Sequence, residues 1–230
     1  VYLGALLCGA VVVLVNLRHR HRELAHLFAD SGARLCVTRE PRALGERITA
    51  VQVDDPALEL EPAMAPRVAV SPDDVALLAY TSGTTGAAKG AMLTHGNLAA
   101  SARAVTGAWG WSENDRLLLT LPLFHVHGLG VGVNGTLWSG GALELWPRFD
   151  ARRVGEALRR GEHTMFFGVP TMYARLVELG QPLPALRLYV SGSAPLSAAT
   201  LRAFEALSGE RILERYGMTE TLMNTTNPLH

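Results

Sequence analysis

The chain has 230 residues, 48% hydrophobic and 18% charged, with 23 Gly and 12 Pro, a composition that excludes disordered, coiled-coil and collagen-like chains and fits an α/β protein of one or two domains. Its 21 Lys+Arg balance 21 Asp+Glu, so no general field attracts nucleic acid or an anionic membrane, and any bound anion must be held locally. Cys8 and Cys36 stand alone in apolar surroundings, which argues against a disulfide framework or a zinc site and makes a reducing, cytoplasmic compartment the expectation.

Val1 to Leu17 is apolar up to Asn16. A spanning helix needs ~20 apolar residues and a signal peptide needs a basic start, so the run reads instead as a buried helix passing into a buried strand at Val11-Val12-Val13. Arg22 to Ala29 has helical spacing, with Leu24, Leu27 and Phe28 on one face, and Ser31-Gly32 stops it before a strand at Arg34 to Thr38. Glu40 to Pro72 lacks sustained periodicity and reads as a surface excursion. Beyond it, strands are expected at Val75–Tyr80, Arg116–Leu121, Ala142–Leu145, His163–Phe167, Leu186–Val190 and Arg211–Arg215. Helices are expected at Thr94–Trp109, Gly128–Trp138, from the Asp150 cap through Arg160, at Thr171–Leu179 and at Ser197–Leu207. This alternation predicts largely parallel sheets flanked by helices.

In such a fold ligands bind beyond the carboxyl ends of the strands. Four unusual segments follow predicted strands: Thr81 to Gly90, Pro122 to Gly128, Ser191 to Ala194 and Tyr216 to Glu220. The first holds three glycines, four hydroxyls and the only lysine of the chain, Lys89. Glycines let backbone N–H groups turn inward around an anion, and hydroxyls and an ammonium add donors and charge, so the segment suits a phosphate. It is not a Walker A loop, because Gly90 follows Lys89 where a magnesium-binding Ser or Thr would stand. A flexible Gly/Thr turn is the alternative. His125 and His127 form a His-x-His pair for which no third metal ligand is apparent.

Ala79 to Gly86 through Lys89-Gly90, Leu121-Pro122-Leu123-Phe124-His125, and Glu214 to Thr221 together resemble the adenylate-forming acyl-CoA synthetase superfamily. Within it, Phe124 to Gly128, Phe167 to Tyr173 and Tyr216 to Asn224 look most like malonyl-CoA synthetases. The resemblance implies the incomplete large domain of that fold, with residues 1–230 a partial N-terminal adenylation domain cut at both ends. It implies a reaction in which a carboxylate attacks MgATP to give an acyl-adenylate, which coenzyme A then converts to a thioester. It also implies roles for residues. Thr81, Ser82, Gly83, Thr84, Thr85, Gly86 and Lys89 would hold the β- and γ-phosphates, Thr219 the α-phosphate, and Glu220 the magnesium ion. Tyr216 would stack on adenine, with Gly192, Ser193, Ala194 and Gly217 letting backbone approach the base. Single residues of these types are otherwise common as a core aromatic (Tyr216) or a helix-terminal carboxylate (Glu220).

His125 would gate the acyl pocket near the reacting carboxylate, while His127, Arg175, Ser193 and Met218 would contact the acid. Arg175 would pair with the distal carboxylate of a malonate-like dicarboxylic acid, the alternative being a solvated surface arginine. Two departures from the family pattern stand out. Ala88 replaces the usual Pro, and the ribose-binding Asp, the hinge and the adenylation lysine of the small carboxy-terminal domain are absent, so residues 1–230 alone are expected to be inactive. A ligase for a fatty or aromatic acid, and a non-catalytic nucleotide-binding module, are the competing readings. No nucleic-acid partner and no membrane span are expected, and oligomeric state is not legible.

Overall fold

A computed structural model describes residues 1–39, 48–53, 68–81 and 87–229. The chain forms two compact units, Val1–Gly96 and Asn97–His230.

In the first unit, α1 (Tyr2–Leu7) leads to β1 (Val12–Leu14), α2 (His21–Ser31), β2 (Leu35–Thr38), β3 (Thr49–Gln52), β4 (Val75–Thr81) and β5 (Lys89–Thr94). β1, β4 and β5 make one sheet, with β1 parallel and β5 antiparallel to β4, while β2 and β3 pair in parallel. Gly32 ends α2 in the left-handed conformation, as its sequence implies.

Three expectations need correction here. The amino-terminal helix and strand are present, but α1 buries none of its residues, with Leu3 and Leu7 exposed, and β1 is only half-buried. A hydropathic run marks side chains that gain from burial, yet burial needs a facing layer, and among the described residues β1 lies at a sheet edge paired with β4 alone. The 40–72 excursion contains β3, whose short mixed-polarity run carries no period and is fixed by its register against β2; residues 40–47 and 54–67 lie outside the described residues. Lys89 and Gly90 belong to strand β5 and not to a loop, because Thr81 pairs with Lys89 and Tyr80 with Gly90 in the β4–β5 ladder.

The second unit takes in nearly all of α3 (His95–Ala108), then β6 (Arg116–Leu119), a π-helical turn (His127–Val133), α4 (Asn134–Ser139), β7 (Ala142–Leu145), α5 (Ala151–Arg159), β8 (Met165–Gly168), α6 (Pro170–Glu178), β9 (Leu188–Ser191), α7 (Ala198–Ser208), β10 (Ile212–Met218) and β11 (Leu222–Thr226). The sheet order is β11-β10-β9-β8-β6-β7, parallel throughout except for β11. Because successive strand side chains point to opposite faces, the continuous apolar runs bury both sides. Leu117, Leu119, Met165, Phe167, Leu188 and Val190 enter one core with Trp109 and Trp111. Leu118, Phe166 and Tyr189 enter the other with Tyr173 of α6 and Phe204 of α7. Asp150 and Ser197 cap α5 and α7 by accepting from the Arg153 and Thr200 N–H groups.

The amino-terminal edge of this sheet is tied by charge. Arg187 Nε and Nη2 donate to the two carboxylate oxygens of Asp115 at 2.7 and 2.8 Å, and Thr164 Oγ1 donates at 2.8 Å. Burial by itself would raise the Asp115 pKa, but Arg187, the Ser112 N–H and Thr164 outweigh it and hold the group below its ordinary value. Arg187→Met is therefore expected to lower unfolding free energy by about 1.5–3 kcal/mol at pH 7. A depressed carboxylate contributes stability above its unfolded pKa and loses it as the pH falls through the folded one, so the deficit should shrink below about pH 4. Chemical denaturation at pH 7 and pH 3 measures both.

Candidate functional site

β6 has β7 on one side and β8 on the other, so the connections leaving β6 and β8 part company here, and the sheet's topological switch point lies beyond their carboxyl ends. The segment after β6 carries His125 and His127, and the segments at the same ends of β9 and β10 carry Gly192-Ser193-Ala194 and Tyr216-Gly217-Met218.

His127 opens the π-helical turn and is 3% exposed, its ring stacked over Phe167 at 6.4 Å. The i→i+5 bond from Val131 N–H to Val126 O widens the turn, a geometry frequent at functional sites. Arg215, near the carboxyl end of β10, is 8% exposed. Its Nη2 donates to Ser193 Oγ at 3.4 Å, and Ser193 Oγ lies 3.4 Å from His127 Nδ1. A guanidinium only donates, so Ser193 accepts from Arg215, and because a hydroxyl oxygen has a second lone pair the direction of the Ser193–His127 bond follows the imidazole tautomer. Among the described residues Arg215 Nε and His127 Nε2 are both buried without a partner. The cluster thus ends in two unpaired nitrogens, one of them on a cationic donor. Its natural complement is an anion.

Burial, then the charges of Arg215 and His125, hold the His127 pKa well below its ordinary value. Below about pH 6.5 the unfolded chain therefore binds a proton that the native chain does not, and stability falls as the pH drops. His127→Gln should remove up to about 1.4 kcal/mol of that loss per pH unit. Urea midpoints of both proteins at pH 7.5 and 5.0 give the comparison. Burial also brings Arg215 down to about 10, which leaves it charged at neutral pH.

Arg215 and Ser193 line an open cleft of about 580 Å³ with Glu214, Tyr216, Gly217 and Asn227. That volume suits a small-molecule ligand. Gly192 is required beside it, because an added Cβ would strike Arg215 Nε. Tyr216 is 57% exposed and is not a core aromatic. β10 runs on through Met218 and turns back as antiparallel β11, so Thr219 and Glu220 sit at the tip of a hairpin, and Glu220 is not at a helix end. Between Tyr216↔Thr225 and Gly217↔Met223 the register skips Asn224, which marks a bulge in β11 opposite β10.

The structure thus brings together His127 and Ser193 but not Arg175, which is exposed in the last turn of α6 with no ion pair among the described residues. His125 and Met218 are exposed, and Thr81 and Lys89 pair at the end of the β4–β5 hairpin in the first unit. Ser82, Gly83, Thr84, Thr85 and Gly86 lie outside the described residues. Sequence reasoning missed Arg215, since a charged residue beside a recognised motif draws no notice. The signal was there in the strand period, which puts Arg215 on the same face as buried Leu213. Among the described residues no group of three His, Cys, Asp or Glu could hold a metal by itself. Glu220 offers a single oxygen donor, which fits a hard cation that completes its shell with phosphate oxygens and water. Among the described residues no helix is long and apolar enough to cross a membrane.

Residues 1–230 match the family described as AMP-binding enzyme. The chain is 35% identical to the mitochondrial malonate–CoA ligase of Mus musculus, covering 96% of this chain and 43% of that protein. It is 38% identical to a feruloyl-CoA synthase of Amycolatopsis sp, covering 92% and 45%. It superposes with a TM-score of 0.89 on a malonyl-CoA ligase solved as a ternary product complex with methylmalonyl-CoA and AMP, at 38% identity over 99% of this chain and 51% of that one. The chain spans about half the length of the relatives it matches. Matched along its whole length, and carrying the α/β architecture of the amino-terminal portion of adenylate-forming synthetases, it belongs to the AMP-binding enzyme family.

Proposed function

We propose that the chain supplies the nucleotide- and acid-binding portion of an ATP-dependent acid–thiol ligase, part of a large adenylation domain, that activates a malonate-like dicarboxylic acid for transfer to coenzyme A. The observation that carries this reading is the Arg215–Ser193–His127 cluster, whose buried guanidinium keeps an unpaired donor, among the described residues, that calls for a carboxylate beside the cleft. A dicarboxylic acid held there by one end keeps its other carboxylate free to attack the α-phosphorus of ATP and displace pyrophosphate. No protein nucleophile is needed; catalysis rests on alignment and charge stabilisation.

The remaining roles follow from the family likeness. Thr81 to Gly86 and Lys89 take the β- and γ-phosphates and Thr219 the α-phosphate. Tyr216, exposed, offers a face to adenine, with Gly192, Ala194 and Gly217 giving the base close access to backbone. Glu220 holds magnesium, which when bound offsets polyphosphate charge. His125 stands at the acyl pocket and Met218 contributes to the acid's surroundings, while Arg175, exposed on α6, is not assigned to the acid.

The reading is tested in the full-length protein with ATP and coenzyme A against malonate, methylmalonate, butyrate and ferulate. Malonate or methylmalonate should give the highest kcat/KM, and Lys89→Ala should raise the ATP Kd about tenfold or more by calorimetry, the loss of a charge-assisted contact. The identity to a feruloyl-CoA synthase supports a second reading, an aromatic-acid ligase, and a preference for ferulate would favour it.

A further inference from the structure

We propose that helix α2 is a positioning element for Lys89, its His26 and Asp30 holding the β4–β5 ladder in the register that sets the face on which Lys89 stands. This rests on the reading of Lys89 as a polyphosphate contact.

His26 and Asp30 are four residues apart and share one face of α2. Each grips a different strand or its approach. His26 Nε2 lies 2.8 Å from Ala88 O, and because a carbonyl only accepts, Nε2 is the donor. Tyr80 OH donates to Asp30 Oδ2 at 2.7 Å, and the His26 and Tyr80 rings meet edge to face at 6.4 Å. Ala88 immediately precedes β5 and Tyr80 is the penultimate residue of β4, so the two bonds bracket the pair Thr81–Lys89.

The ladder adds a steric key. Tyr80 pairs with Gly90, and a Cβ at Gly90 would come within 3.1 Å of Tyr80 Cζ, so the ring lies across the one residue type that leaves room for it. A one-residue slip of β5 would put Lys89 under Tyr80 and send its ammonium to the opposite face of the hairpin. The Gly90 of the motif therefore serves the register here. With Ala88 in place of the ring-locked proline that the family resemblance leads one to expect, the bond from His26 fixes the chain at that point from outside.

The test compares His26→Phe, which keeps a ring against Tyr80 but cannot donate, with His26→Gln, whose amide restores a donor near Nε2, and with Tyr80→Phe, which loses only the hydroxyl. Steady-state kinetics in the full-length protein should show the ATP KM raised about two- to tenfold in both Phe variants, the range for one lost hydrogen bond, with the acid KM unchanged. His26→Gln should return to within about twofold of the parent. If Lys89→Ala raises the ATP KM while both Phe variants match the parent, or if His26→Gln is as impaired as His26→Phe, the positioning role is wrong. If Lys89→Ala itself leaves the ATP KM unchanged, the phosphate reading fails and takes this inference with it. Equal losses in ATP KM, acid KM and kcat would mark His26 as general packing and equally overturn the proposal.

Discussion

Arg215→Ala in the full-length protein is expected to reduce kcat/KM for malonate by about 3–5 kcal/mol, or about 150- to 5,000-fold, while the ATP Kd stays within about twofold. The size follows from the surroundings of the guanidinium. Arg215 is buried, and among the described residues its Nε has no partner while its Nη2 makes a long hydrogen bond to Ser193. A carboxylate brought there without it would be desolvated and unpaired. Arg175→Ala should change malonate kcat/KM by less than about 1 kcal/mol, the range for an exposed charge. Butyrate lacks the distal carboxylate and should lose little or gain, so the malonate-to-butyrate ratio isolates recognition from general damage. An unchanged ratio in Arg215→Ala, or a collapse in Arg175→Ala instead, would move the acid site to α6.

Gly217→Ala is expected to destabilise the protein by about 3 kcal/mol or more. An added Cβ would strike the carbonyl oxygen of Leu222, and a backbone atom cannot swing aside as a side-chain tip can. Leu222 already holds a left-handed φ of 60°, so the far side of the hairpin has little freedom to yield. The lesion should also impair adenylate formation, because Thr219 and Glu220 sit in the turn that would be displaced. Gly107→Ala is the internal control. It lies in α3, where an added Cβ meets nothing within 4 Å, and should stabilise by about 0.5–1 kcal/mol. Denaturation curves of the two variants should therefore shift in opposite directions, and equal shifts would mean that the hairpin is not tightly packed at Gly217.

The parts of the fold that were legible in the sequence are those whose signals are local. Ala142–Leu145 is a strand with the expected ends, and Asp150 and Ser197 cap their helices because a short polar side chain before a helix satisfies an orphan N–H. The strands that escaped are β3, β5 and β11, which lack clean alternation and are fixed by partners: β2, β4 and β10. In β5 the motif hid the strand, since Lys89 and Gly90 carry a ligand-binding pattern and a ladder register at once. Of the residues proposed to hold the acid, Ser193 and His127 were legible through the family likeness. Arg215 became visible only once β9 and β10 lay side by side and brought it within reach of Ser193.

Arg215 and Tyr216 are adjacent on β10, yet the first is buried and the second exposed. The pleat sends neighbouring side chains to opposite faces, and the bulge at Asn224 lies in the facing strand β11, so β10 keeps its alternation here. Two recognition tasks are thereby separated by a single peptide unit along the wall of one cleft. Substrate range can then drift by point substitution at one residue while the partner facing the other way keeps its place. Relatives named for malonate and for ferulate stand at similar identity to this chain, as expected of a scaffold whose choice of acid is a replaceable part.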